Sequence, residues 1–158
     1  MKTTIKPYHK DDENACIAAF KSNVPLYFTE TEVGDFENFL QRIAIPDHPE
    51  RHLKTHYFVI AVNGEIVGCG GFGDKDNTAV ITLAWGLVHK EYHKKGLGGQ
   101  LLSHRLQQIR MLYPDVPVIV DTTQFAYAFF EKYGFCTTKI TNDYYETGMH
   151  RYDMVLRS

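Results

Sequence analysis

Apolar and polar positions alternate along the chain with two periods, one of helices and one of strands. Residues 3–8 predict a strand with Ile5 as its strong apolar position. Residues 11–21 predict a helix, with Ala15, Ile17, Ala18 and Phe20 supplying apolar positions. Asn23-Val24-Pro25 marks a turn. Thr29 followed by Glu32 has the form of a capping box and predicts a helix to Arg42, with Phe36, Phe39 and Leu40 on its apolar face. Residues 56–62 and 65–72 predict two strands joined by Asn63-Gly64, a strong hairpin signal. The turn Lys75-Asp76-Asn77 then leads into a long strand over residues 78–88.

A helix over residues 98–113 follows, with Leu102, Leu106, Ile109 and Tyr113 at helical spacing and Pro114 closing it. Pro117 precedes a buried strand over residues 118–121. Residues 123–133 predict a helix capped by Gly134, and residues 135–141 and 150–156 the last two strands, joined by a loop over 142–149. The helix after the long strand makes a crossover, so strands 78–88 and 118–121 should run parallel. The result is a single α/β domain over residues 1–158, with helices on both faces of one mixed sheet. No repeat, low-complexity tract or linker divides it.

Composition narrows the function. With 44% hydrophobic and 23% charged residues, the chain has the balance of an ordinary globular domain. A net charge of −2 argues against a general nucleic-acid binder. Cys16, Cys69 and Cys136 are odd in number and widely spaced, as reduced thiols are, and form no metal knuckle. The first ten residues lack an apolar run and no stretch is long enough to span a bilayer, so a cytoplasmic location is expected. His48, His52 and His56 recur every four residues, but Pro46 and Pro49 break the helix that would align them, so no metal is expected. The 13% aromatic content suits a packed core or an aromatic-walled pocket equally.

The strongest local pattern runs from Val88 to Leu102: a strand end, a turn rich in glycine and cations, and an amphipathic helix. A helix N-terminus offers unpaired N–H groups and partial positive charge to an anion such as a pyrophosphate. Gly96, Gly98 and Gly99 let a phosphate approach the backbone, and His93, Lys94 and Lys95 add charge beside it. The plain alternative is a solvated glycine turn. There is no Gly-Lys-Ser/Thr of a Walker A loop, and no third glycine of a dinucleotide fingerprint.

His93-Lys94-Lys95-Gly96-Leu97-Gly98 resembles the Gln/Arg-x-x-Gly-x-Gly/Ala pyrophosphate loop of the GNAT superfamily of acetyl-CoA-dependent N-acetyltransferases, with His93 in place of Gln or Arg. Phe130-Glu131-Lys132-Tyr133-Gly134-Phe135 resembles that family's second segment, and the element order matches along essentially the whole chain. The resemblance implies a GNAT-like fold in which the long strand bulges and splays from its parallel neighbour, and acetyl-CoA as cosubstrate in the gap, with no metal. Trp85-Gly86 would be the bulge, or Trp85 a core residue. Leu87 and Val88 would bind the pantetheine arm, with the Leu87 N–H polarising the thioester carbonyl. The phosphates would fall to His93, Lys94, Lys95, Gly96, Leu97, Gly98 and Gly99.

Two positions depart from the family pattern: Thr123 stands where Asn is frequent, and Phe130 where a Tyr often serves as general acid. Both would still line the cofactor. Tyr127, one turn earlier, is a substitute acid or an aromatic packing residue. The acceptor, a primary amine on a small molecule or peptide, would enter between residues 25–28 and 143–146, where Tyr27, Phe28 and Tyr144 stand. These rings form pocket walls or pack on the body. A homodimer stays open. The rival reading is a non-catalytic acyl-CoA-binding regulatory module, motivated by Phe130 and the lack of an obvious base.

Overall fold

The computed structural model describes residues 1–45, 55–74 and 79–157. Strands β1 (Thr3–Pro7), β2 (His56–Val62), β3 (Glu65–Gly73), β4 (Ile81–Val88), β5 (Val118–Thr123), β6 (Phe135–Glu146) and β7 (Met149–Leu156) form one sheet. Its order is β1-β2-β3-β4-β5-β7-β6, and β4–β5 is the parallel pair. Helices α1 (Glu13–Lys21) and α2 (Glu30–Ala44) cover one face. The other carries α3 (Leu97–Leu112) and the short α4 (Tyr127–Glu131).

Each face buries its own core. On one, Leu101, Leu102, Leu106 and Ile109 of α3 pack on Phe58, Phe72, Leu83 and Val120. On the other, Phe20 of α1 and Phe36, Phe39 and Leu40 of α2 pack on Tyr57, Val59, Cys69 and Leu87. Trp85 lies among Phe20, Phe36 and Phe39, with ring centroids 5.7, 5.5 and 6.4 Å away. The capping box of α2 forms: the Thr29 hydroxyl accepts from the Glu32 N–H at 3.2 Å, and the Glu32 carboxylate accepts from the Thr29 N–H at 3.0 Å.

Two features of β4 set up the site. Trp85 and Gly86 together face the single residue Gly70 on β3, which is a β-bulge, and Trp85 takes φ +37°. That is the left-handed region, unusual for a bulky side chain, and the aromatic packing of Trp85 compensates. The Trp85 carbonyl also accepts from the Tyr57 hydroxyl at 2.7 Å. Meanwhile β4 pairs with β5 only at Ile81–Val118 and Thr82–Ile119, so the two strands part before the bulge is reached.

Several boundaries differ from the sequence reading. β5 runs on to Thr123, and α4 shrinks to five residues. Gln124 explains both, because its amide ties the end of β5 to the last hairpin, donating to the Gly148 carbonyl at 2.6 Å and accepting from the His150 N–H at 2.9 Å. β6 reaches Glu146, absorbing most of the expected loop. Asp143 carries the irregularity at φ +54°, accepting from the Gly148 N–H at 2.7 Å while its own N–H donates to His150 at 2.9 Å. His48, His52, the turn at residues 75–77 and Thr78 lie outside the described residues, and His56 opens β2. Among the described residues, no helix is long and apolar enough to cross a membrane.

Candidate active site

The loop from β4 into α3 is shaped by two left-handed residues, Lys94 at φ +62° and Gly96 at φ +78°. Gly96 is the N-cap and supplies no side-chain hydrogen bond, so the first N–H groups of α3 point outward unpaired by a capping side chain. Leu97 is buried and anchors the turn, whereas Lys94, Lys95 and Gly96 are exposed. A Cβ on Gly98 would rest against the Phe129 ring at 3.7 Å, and one on Gly99 would collide with the Tyr133 hydroxyl. A side chain at position 99 would therefore require the Tyr133 hydroxyl to move. An open groove of about 640 Å³ runs between the 127–133 segment and α3, lined by Gly96, Gly99, Gln100, Phe129 and Lys132 among others.

His93 stands at the start of this turn, between the loop and the end of β4. Its Nε2 lies 2.8 Å from the Val88 carbonyl oxygen, and its ring meets the edge of Tyr27 with centroids 5.6 Å apart. Buried Asn23 donates to the same Val88 carbonyl at 3.0 Å and to the Ala19 carbonyl at 2.9 Å. The Val88 carbonyl therefore points away from β3. The next residue, His89, donates its N–H to Val67 on β3 at 2.7 Å. By the alternation of an antiparallel ladder, Leu87, paired with Cys69, directs its N–H at β3, and the gap-facing main chain beside the bulge belongs to Gly86 and Val88. The Leu87 side chain is buried under α1 and α2.

Across the gap the sheet carries charge. Val118 and Val120 point into the α3 core, so Asp121 on β5 emerges on the opposite face. The Tyr145 hydroxyl donates to Asp121 at 2.8 Å, and Asp121 pairs in register with Asp153. Arg151 donates to Asp153 at 2.9 Å and lies 4.7 Å over the Tyr144 ring. Glu32, in the first turn of α2, feels the charge of Asp121. Burial pushes its carboxyl pKa up, and the charges of Asp35 and Asp121 push it the same way, against the hydrogen bonds from Thr29. Burial, then Asp121, raises the Tyr145 hydroxyl and keeps it protonated.

The residues singled out in the sequence divide accordingly. Tyr27 stands at the mouth, edge-on to His93 and to Phe125 at 6.1 Å. Phe28 stacks on Phe20 at 4.3 Å and belongs to the core side. Tyr144 is exposed beneath Arg151. Tyr127 stacks on Tyr152 at 4.5 Å, and Phe130 meets Phe135 at 5.6 Å, both against the α3 core. Thr123 ends β5 and accepts from the Phe125 N–H at 3.2 Å. Tyr145 lies in the 143–146 stretch expected to wall the acceptor, whereas Glu32 and Asp121 carry no chemical role in the sequence. Glu32 reads as a cap and Asp121 as a strand end, although a carboxylate at the carboxyl end of a parallel strand marks the crevice where such sheets bind ligands.

Comparison with known proteins gives the family and the fold. Residues 15–158 match the family model described as an acetyltransferase (GNAT) domain. No curated protein sequence matches. Among solved structures, a protein described as a GNAT-family acetyltransferase from Desulfovibrio desulfuricans has a TM-score of 0.80 at 16% identity, covering 99% of both chains. The ribosomal-protein-S18-alanine N-acetyltransferase of Escherichia coli has a TM-score of 0.74 at 18% identity, covering 98% of this chain and 93% of that one. YncA of Salmonella typhimurium, solved with acetyl-CoA, has a TM-score of 0.73 at 16% identity, covering 99% and 94%.

Proposed function

The chain belongs to the GNAT acetyltransferase family, and from that premise we propose that it transfers an acetyl group from acetyl-CoA to a primary amine by direct attack in a ternary complex. The observation that carries the reading is the parting of β4 from β5, at a bulge, in line with a helix N-terminus cleared by glycine. A slot and an anion site so aligned suit a long thioester with a pyrophosphate at its far end. The likeness to a protein solved with acetyl-CoA supports the same cosubstrate.

The pyrophosphate is assigned to the N–H groups at Leu97, Gly98 and Gly99, with Lys94 and Lys95 adding charge. The pantetheine arm runs past Val88, Thr123 and Phe130, and the thioester carbonyl lies beside Gly86. A free alkylamine has a pKa of roughly 10, so it arrives as a cation and must lose a proton. Glu32, Asp121 and Tyr145 form an acidic, hydrogen-bonding face that would hold the ammonium, and Glu32 is assigned as the base. Tyr27 and Tyr144 flank the acceptor, a small molecule or peptide. No metal is needed for aminolysis of a thioester.

The test is acetyl transfer itself, with CoA release and acetylated product measured across monoamines, diamines and peptide N-termini. Turnover with a cationic amine is expected. Tight CoA binding without transfer to any of them would replace the enzyme with an acyl-CoA-binding module. Tyr127 is assigned as the proton donor to the departing thiolate. Tyr127→Phe keeps the stack on Tyr152, so kcat should fall by roughly tenfold or more with CoA affinity unchanged. An unaltered kcat would leave Tyr127 with packing alone.

A further inference from the structure

One buried charge has no part in the scheme above. Arg105 lies midway along α3 and is only 3% exposed. Its guanidinium reaches the sheet directly beneath the β4 bulge. Two glycines make room for it: a Cβ on Gly86 would lie 2.6 Å from Nη2, and one on Gly70 would lie 3.1 Å from Cζ. Its hydrogen bonding is sparse. Nη1 donates to the Gly71 carbonyl at 3.3 Å, and Nε has no acceptor. Among the described residues, no ion pair includes it. The titratable groups that face it are Tyr57 on β2 and Cys69 on β3. The Tyr57 hydroxyl is kept neutral by burial and is already donated to Trp85. Burial lowers the Arg105 pKa to about 10, which leaves it charged at neutral pH.

A buried cation with one long hydrogen bond is expensive to keep, and an apolar side chain of similar size would fill the place at less cost. The arrangement becomes favourable once an anion arrives. Gly86 is exposed to the gap, so only its backbone stands between the guanidinium and the place assigned to the thioester.

Building on the acetyl-transfer reading, we propose that Arg105 is an electrostatic positioning residue for the leaving group. As the amine nitrogen bonds to the carbonyl carbon, the C=O electron pair moves onto oxygen. The pair then returns, the C–S bond breaks and its electrons leave on sulfur. The ammonium first gives one proton to the Glu32 carboxylate, which passes it to solvent. The nitrogen gives its second to Glu32 as the adduct collapses, and Tyr127 protonates the thiolate and regains its own proton from solvent. Negative charge thus sits first on oxygen and then on sulfur, both beside Gly86, above a fixed cation in a water-poor site. Arg105 supplies stabilisation that Phe130 has no proton to give.

Titrating the thiol of bound CoA, by thiolate absorbance, tests this without turnover. The other titratable groups around the gap are His93, Glu32, Asp121, Tyr127 and Tyr145, and they are common to every variant compared. In the wild type the bound thiol should titrate about one unit below the ~8.5 of a free thiol, or about tenfold more thiolate at a given pH. Arg105→Lys should retain most of that shift. Arg105→Met should lose it while still binding CoA, whereas a merely structural role would move thermal stability and leave the thiol where it was. Equal titration in wild type and Arg105→Met overturns the proposal. Should Arg105→Met not fold, a wild-type bound thiol that titrates like free CoA overturns it equally. A wild type that binds no CoA at all overturns the acetyl-transfer reading with it.

Discussion

Glu32→Gln is expected to lower kcat by about 10²- to 10⁴-fold, the usual contribution of a positioned acid or base. The substitution is unusually clean. Glu32 is the third residue of α2 and closes its capping box, and Gln fills that position as well as Glu, because its amide oxygen can still accept from the Thr29 N–H. Helix α2 therefore stays capped while the proton acceptor disappears. Burial raises the folded-state pKa of Glu32, so the folded protein holds that proton more tightly than the unfolded chain does. Its contribution to stability is then fully present below the unfolded pKa and is lost as pH rises through the raised folded pKa. At neutral pH the neutral Gln should leave the unfolding temperature unchanged or raise it. The wild-type pH profile of kcat/KM should climb through a pKa above that of an ordinary glutamate, and the variant should lack that limb. A variant within about threefold of wild type would remove Glu32 from the chemistry, since even weak base catalysis exceeds that.

The fold was legible because its signals are local. The Thr29–Glu32 box, Asn63-Gly64, and the glycine turn before Leu97 each fix an element through one or two side chains, and the structure keeps all three. The crossover helix then dictates the parallel β4–β5 pair. What could not be read depends on residues far apart in the chain. Gln124 shortens α4 by bonding across to Gly148 and His150, and no periodicity announces that. His93 stands beside Lys94 and Lys95 in the sequence, which gives no sign that its ring also meets the Val88 carbonyl. The direction of the Leu87 N–H follows from the bulge and the His89–Val67 bond, which set the phase of the ladder and have no mark in the sequence. The Tyr145–Asp121 hydrogen bond needs β5 and β6 together, and Glu32 on α2 feels the Asp121 charge, none of which periodicity announces. Arg105 looks like an ordinary helix residue in the sequence, and only the glycines opposite it reveal a seat.

Gly98→Val should weaken CoA binding by about 10²- to 10⁴-fold while leaving the protein folded. The three glycines of the loop are not equivalent tests. Gly96 sits at φ +78°, so any side chain there adds backbone strain to whatever it does to the ligand. A side chain on Gly99 would meet the Tyr133 hydroxyl and force that side chain to move. Gly98 has neither problem: its φ is not left-handed, and a Cβ would meet the Phe129 ring at 3.7 and 3.8 Å, ordinary contact distances. Valine is also no worse than glycine as a helix former, so α3 should not fray. What valine changes is the space above the first turn, where a phosphate must come within hydrogen-bond distance of the backbone. Losing two charge-assisted bonds, at about 1.5–3 kcal/mol each, corresponds to roughly two to four powers of ten in affinity. Calorimetry with CoA measures the loss, and pantetheine, which lacks the pyrophosphate, serves as the control ligand. Its affinity should be the same for wild type and variant, because its contacts lie along Val88 and beyond. A folded Gly98→Val protein that binds CoA as tightly as the wild type would move the pyrophosphate away from the α3 N-terminus. Equal losses for CoA and pantetheine would mean that the substitution disturbed the gap rather than the loop.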